Sequence, residues 1–176
     1  FLDYTSYVIR ERAIPDADDG LKPVQRRILQ TLANMDDGRF HKVANVVGET
    51  MKLHPHGDQS IFDALVNLAN KNYLIDRQGN YGNIFTGDQA SAPRYIECRL
   101  SPLARETLFN KDLTEFVDSS AGRMQEPVRL PATIPLLLLL GAAGIAVGMA
   151  TTTMPPNFGH PPPAPIDYLR GRELPL

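Results

Sequence analysis

Apolar positions recur at helical spacing three times in the first seventy residues. Val24, Arg27, Ile28, Thr31 and Leu32 continue one such face to about Met35, behind Pro23, which sits where a helix tolerates proline, in its first turn. After the break at Asp36-Asp37-Gly38, Val43, Val46, Val47, Thr50 and Met51 mark a second helix. His54-Pro55-His56-Gly57 makes a tight connection. Asp58 is the expected N-cap of a third helix, with Ile61, Leu65, Val66 and Leu68 mostly on one face. Two helices joined by a short glycine-containing turn form a helix-turn-helix pattern, and the second would be the recognition element. Ahead of all this, Tyr4, Tyr7, Val8 and Ile9 suggest a short helix or arm.

From Tyr73 to Leu100 the period changes. Leu74-Ile75-Asp76, the glycines Gly79, Gly82 and Gly87, and then Tyr95-Ile96-Glu97-Cys98-Arg99-Leu100 read as strands around glycine-rich loops, a wing behind the helix-turn-helix. Ser101-Pro102 opens another helix, cap and proline in the expected order, through Leu103 and Leu108 to about Phe109. Together these elements predict an α+β fold: a winged helix, followed by a strand and glycine-rich segment.

One later stretch tests whether the chain is a water-soluble domain. Leu130 to Ile166 contains no Asp, Glu, Lys or Arg, and Leu136 to Leu140 is a run of five leucines. A membrane helix needs roughly 20 continuous apolar residues. Here Pro131 and Pro135 precede the leucines, Gly141, Gly144 and Gly148 follow, and Thr151 to Thr153 end the run. The expectation is a buried strand, a glycine-rich turn and a second buried strand, with no membrane association; a membrane span is the minor alternative. Pro161, Pro162, Pro163 and Pro165 then argue for an extended connector.

The 176 residues suffice for one ordinary domain with a real core; 43% are apolar and 22% charged, the range of a globular chain. The lone Cys98 has no internal disulfide partner, which fits a reducing compartment. Asp3, Arg10, Glu11 and Arg12 leave no room for a signal peptide near the start. The first residue is Phe1 rather than methionine, and the chain reads as a piece of something longer. A net charge of −2 gives no bulk support for nucleic-acid binding, so any such surface must be a local patch.

Candidate patches exist. Lys22, Arg26 and Arg27 share one short helix and could neutralise phosphates at its start; a solvated basic face is the alternative. His54 and His56 flank a proline, with no Cys or carboxylate cluster at ligand spacing, so phosphate contact fits better than a metal, and a purely structural turn is close behind. In Arg94-Tyr95 a phenol, with an ordinary pKa near 10, stands beside a cation that favours the oxyanion and could stabilise charge on a phosphorane-like transition state. Taken alone, Arg-Tyr on a strand is far more often just a half-exposed pair. No nucleotide-binding motif is present.

Five stretches, in order, carry more than each does alone: Asp19-Gly20-Leu21-Lys22-Pro23-Val24-Gln25-Arg26-Arg27, His54-Pro55-His56-Gly57-Asp58, Gln78-Gly79-Asn80-Tyr81-Gly82, Pro93-Arg94-Tyr95 and Gly144-Ile145-Ala146-Val147-Gly148-Met149-Ala150-Thr151. Jointly they resemble the breakage-reunion subunit of bacterial type IIA topoisomerases, the A subunit of DNA gyrase or topoisomerase IV, over about residues 4 to 157. The resemblance implies that Tyr95, with Arg94, forms a transient 5′-phosphotyrosyl link to double-stranded DNA. It implies DNA contacts at Lys22, Arg26, Arg27, Lys42, His54, His56, Gly57 and Asp58, and makes Ile145 the side chain that wedges between base steps. A buried strand residue is the alternative for Ile145. Gln59 and Asp63 stand at the quinolone-pocket positions.

By the same resemblance, residues 1–120 are the winged-helix cleavage domain, 121–157 the start of a tower-type, DNA-bending region, and 158–176 a proline-rich tail. The working enzyme would be an ATP-hydrolysing isomerase, an A2B2 assembly built on a homodimer of A subunits. Mg2+ would be held by the Toprim domain of the B subunit, and ATP would be used only by that B subunit. The location implied is cytoplasmic, at the nucleoid. The rival readings are a non-catalytic DNA-binding winged helix and a truncated, inactive scaffold. The chain also departs from the family pattern. Asp18 stands where an arginine is usual, Gln25 where a histidine is, and Gln59 where a serine is. Ser120, Ala121, Thr133, Ala143, Thr152 and Pro156 replace charged or aromatic residues.

Overall fold

A computed structural model describes residues 4, 6–7, 13–55, 57–119, 122, 124–146 and 149–154. The first long helix, α1 (Pro23–Asn34), begins on its proline, and the Gln25 side-chain oxygen accepts the Lys22 backbone N–H at 2.9 Å, closing one side of a capping box. Its buried face is Ile28, Leu29, Thr31 and Leu32. A two-residue strand, β1 (His41–Lys42), leads directly into α2 (Val43–Thr50), which buries Val43, Val46 and Val47. Helix α3 (Asp58–Asn70) buries Ile61, Leu65, Leu68 and Ala69.

Asp58 is not the cap of α3. Gly57 takes that position, and Asp58 is the first helical residue, its carboxylate accepting the Gln59 N–H at 2.9 Å. The negative charge therefore still lies at the positive end of the helix.

Strands β2 (Ile75–Gln78) and β3 (Glu97–Leu100) join β1 in an antiparallel sheet of order β1-β3-β2. The register sets His41 against Cys98, and Ile75 against Leu100. Cys98 is fully buried in this sheet, where loss of solvent pushes its thiol up to about 12. Three helices and this small sheet make the expected winged helix. One detail differs: β3 starts at Glu97, and Arg94-Tyr95 lie on a turn closed by the Tyr95 N–H donating to the Ala92 carbonyl at 2.9 Å.

Ser101 caps α4 (Pro102–Leu108), its hydroxyl accepting from the Ala104 N–H at 3.1 Å and donating to the Tyr73 carbonyl at 2.7 Å. A hairpin of β4 (Phe116–Asp118) and β5 (Gln125–Pro127) follows.

The leucine run is not a strand. It forms a short helix, α5 (Leu136–Leu140), bounded by Pro135 and by Gly141 with φ +63°. Leu136, Leu139 and Leu140 are buried, at i, i+3 and i+4, while Leu138 faces outward. Apolar runs of this length do not distinguish strand from buried helix by periodicity. Beyond it, β6 (Ala142–Ala146) and β7 (Met149–Thr153) pair as an antiparallel hairpin, and β6 is covered on one face only.

One apolar cluster runs from Leu21 through the helices and sheet to Leu130, Leu136, Leu139 and Leu140. Gly20 is the point of closest approach. Its φ is +66°, and a β-carbon there would lie 2.4 Å from the Leu137 nitrogen. Only glycine lets the Asp19-Gly20 turn seat against α5. Among the described residues no helix is long and apolar enough to cross a membrane. The proline-rich segment 158–176 lies outside them.

Candidate nucleic-acid interface

The sequence-predicted residues fall into an exposed tyrosine turn, a cleft lined by half-buried Lys22 and buried His54, and a buried group. The first group is the tyrosine turn. The start of α2 is stitched to it: the Val43 N–H donates to the Ile96 carbonyl at 3.0 Å, and the Ala44 N–H to the Pro93 carbonyl at 3.1 Å. On this shelf Tyr95 is 65% exposed, so its phenol is open to a large substrate. The Arg94 guanidinium stacks over the Tyr95 ring, 4.6 Å from its centroid. Lys42 lies beside them, paired with Glu97 at 3.4 Å, and still exposed.

The second group surrounds a cleft of about 380 Å3 between the start of α1, the outer face of α3 and the α5–β6 junction. Lys22 and His54 line it, and none of the described lining residues is acidic. Burial lowers the Lys22 pKa below the ordinary lysine value. Ala143 closes one side. In β6 Ala142 and Gly144 are buried while Ala143 and Ile145 are exposed, so Ile145 projects from the strand face that meets the cleft. At 85% exposed, Ile145 is not a core residue, and the buried-strand alternative is removed.

The buried group corrects the expected phosphate contacts. Arg26 is 8% exposed. Its Nε and Nη2 donate to Asp19 at 2.6 and 2.9 Å, and Nη2 also reaches the Leu21 carbonyl at 3.3 Å. Asp19 in turn accepts the Leu21 and Leu130 backbone N–H groups, both at 3.0 Å. Arg26 is thus a core ion pair that fixes the turn before α1, and it is not placed to meet DNA. Arg27 is likewise committed: Nε and Nη2 donate to Glu126, the latter at 3.0 Å, and Nη1 lies 2.9 Å from His54 Nδ1. Because a guanidinium only donates, that His54 nitrogen is an acceptor. Arg27 therefore orients His54 rather than presenting itself.

Gly57 and Asp58 are exposed at the start of α3; His56 lies outside the described residues. Gln59 donates to Asp63 at 2.8 Å, one helical turn on, so the two side chains form a single exposed pair. Among the described residues there is no grouping of three or more His, Cys, Asp or Glu able to hold a metal.

Motif reading missed the inner lining of the cleft. Ser60, Ala64, Asn67 and Lys71 all face it from α3. Their spacing of four, three and four residues was visible as a stripe, but polar residues on a helix face ordinarily signal only solvent.

Comparison with known proteins gives the family. A family model described as the A subunit of DNA gyrase/topoisomerase IV matches residues 12–174. The chain is 61% identical over 160 residues to the DNA topoisomerase 4 A subunit of Borreliella burgdorferi, covering 91% of this chain and 26% of that protein. It is 44% identical over 185 residues to the DNA gyrase A subunit of Synechocystis sp., covering 99% and 21%, and 48% identical over 168 residues to the Staphylococcus epidermidis protein of that name, covering 90% and 19%. The chain therefore spans about a fifth to a quarter of the length of these relatives.

Proposed function

This chain belongs to the family of DNA gyrase and topoisomerase IV A subunits, and from that premise we propose that it is the part of a type IIA topoisomerase that breaks and rejoins DNA, with Tyr95 as the nucleophile. The observation that carries the reading is the Tyr95 phenol, exposed on a turn that α2 and β3 hold in place, with Arg94 stacked on its ring.

The reaction is a transesterification. Tyr95 Oη loses its proton and attacks a backbone phosphorus, forming a P–O bond as the bond to the 3′ oxygen breaks. The 3′ oxygen takes up a proton, and the 5′ phosphate stays on the tyrosine. Reversal reseals the strand without an outside energy source, since one phosphodiester replaces another. Arg94 faces the charge that develops at the phosphate. Lys22, in a cleft that His54 also lines and that has no acidic lining, holds the duplex backbone, together with Lys42, His56, Gly57 and Asp58 around it. Ile145 enters a base step and bends the duplex.

The remaining parts belong to the assembly. A B subunit would bring the carboxylates for Mg2+, whose charge neutralises the reacting phosphate, and would use the ATP; the A subunits would pair as a homodimer in A2B2. The compartment that fits this work is the cytoplasm, at the nucleoid.

The test uses the full-length subunit reconstituted with its B partner. Tyr95→Phe is expected to remove cleavage complexes while DNA affinity stays within about twofold. Cleavage that persists in the variant would overturn the assignment, and loss of binding as well would assign Tyr95 to the binding surface alone.

A further inference from the structure

The cleft that holds Lys22 contains a second lysine that none of the five sequence motifs includes. Lys71 caps the C-terminal end of α3 and lines the same cavity. It is half-buried, and loss of solvent lowers its pKa as it does for Lys22. Among the described residues neither lysine has a carboxylate within ion-pairing distance. The two arginines nearest Lys22 in sequence differ from it: Arg26 and Arg27 are each paired with a carboxylate. Bringing two uncompensated ammonium groups to one partly dry cavity costs stability unless an anion shares it.

The polar groups between the two lysines suit an extended anion. Ser60, Asn67 and Lys71 follow one another along the cleft-facing stripe of α3, with Gln25 and His54 on the opposite wall. From Ser60 to Lys71 the helix rises roughly 16 Å. That is about five nucleotide steps along one DNA strand. The Lys71 Nζ donates one hydrogen to the Leu140 carbonyl, which fixes the head group while two of its three donors remain.

We propose that Lys71 is a second backbone-phosphate contact, at the far end of the Lys22 cleft, so that the outer face of α3 forms a track for the phosphodiester chain. The inference rests on the proposed DNA-cleaving role and extends it to a residue outside the motifs. Contact of this kind is independent of base sequence.

The experiment measures the salt dependence of duplex binding by the full-length subunit with its B partner, on two DNA sequences of different composition. Three variants are compared: Lys71→Gln, which keeps a donor for Leu140 but loses the charge; Lys71→Arg, which keeps the charge; and Lys22→Gln. Lys71→Gln is expected to lower the slope of log affinity against log salt by about one unit, equally for both sequences, without lowering the melting temperature. Lys71→Arg is expected to restore the slope. An unchanged slope in Lys71→Gln, with Lys22→Gln still lowering it, would overturn the Lys71 assignment while leaving the DNA-cleaving reading intact. A wild-type complex that neither binds nor cleaves duplex would instead sink that underlying reading.

Discussion

Asp19 and Arg26 show how a sequence motif can name the right residues for a different reason. Their pairing is bidentate and almost dry, and the same carboxylate holds two backbone N–H groups. Removing one partner leaves a buried charge uncompensated, so Arg26→Ala is expected to cost about 3–5 kcal/mol in denaturant unfolding, and Asp19→Ala a similar amount. A phosphate contact would behave in the opposite way, with melting unchanged and a smaller salt slope. Nothing in the one-dimensional spacing of Lys22, Arg26 and Arg27 reveals which cation faces inward: Glu126 comes from a distant segment, and Asp19, though in the same motif, meets Arg26 only once the turn before α1 is folded. Ile145 was ambiguous for a related reason: an apolar residue between glycines suits a core strand or a wedge equally. Its exposure decides against the core. Ile145→Ala is expected to reduce DNA bending, read by fluorescence transfer, and cleavage in the full-length enzyme, with less than about 1 kcal/mol lost in melting. A loss of about 2–5 kcal/mol, as for a buried cavity, would contradict the structure.

Among the elements, those with their own local code were legible. The proline-led start of α1 and the Ser101 cap of α4 appear where their residues predict, and so does the strand pair around the glycine-rich loop, except that β3 starts at Glu97 rather than Tyr95. The leucine run was not, since five identical apolar residues carry no period, and only its packing on the core selects a helix. That packing depends on Gly20. Gly20→Ala combines a left-handed backbone with a β-carbon 2.4 Å from the backbone of α5, so it is expected to cost more than the roughly 1–2 kcal/mol of the conformation alone. Gly87→Ala is the control: φ is +77°, with open space where the β-carbon would go, so it is expected to show only the conformational cost. Equal losses at the two sites would mean that the turn does not press on α5.

For the whole molecule, the net charge of −2 conceals a division of labour. Among the described residues, Arg26 and Arg27 are neutralised by carboxylates in the framework, while the lysines of the α1–α3 cleft meet no acid there. Composition cannot report that arrangement; only the fold separates paired from unpaired cations. Family membership was legible because five motifs share order and spacing. The floor of the cleft was not, because α3 and the α5–β6 junction that build it are far apart in sequence and adjacent only once folded. The central claim remains the chemistry of Tyr95, and the most direct measurement locates the covalent bond itself. Cleavage complexes of the full-length subunit with its B partner, trapped by denaturant, are digested with nuclease and protease and the peptides mapped by mass spectrometry. The account predicts a 5′-linked nucleotide on the phenolic oxygen of Tyr95 and on no other residue. A nucleotide carried by a different tyrosine, or by a serine, would contradict it.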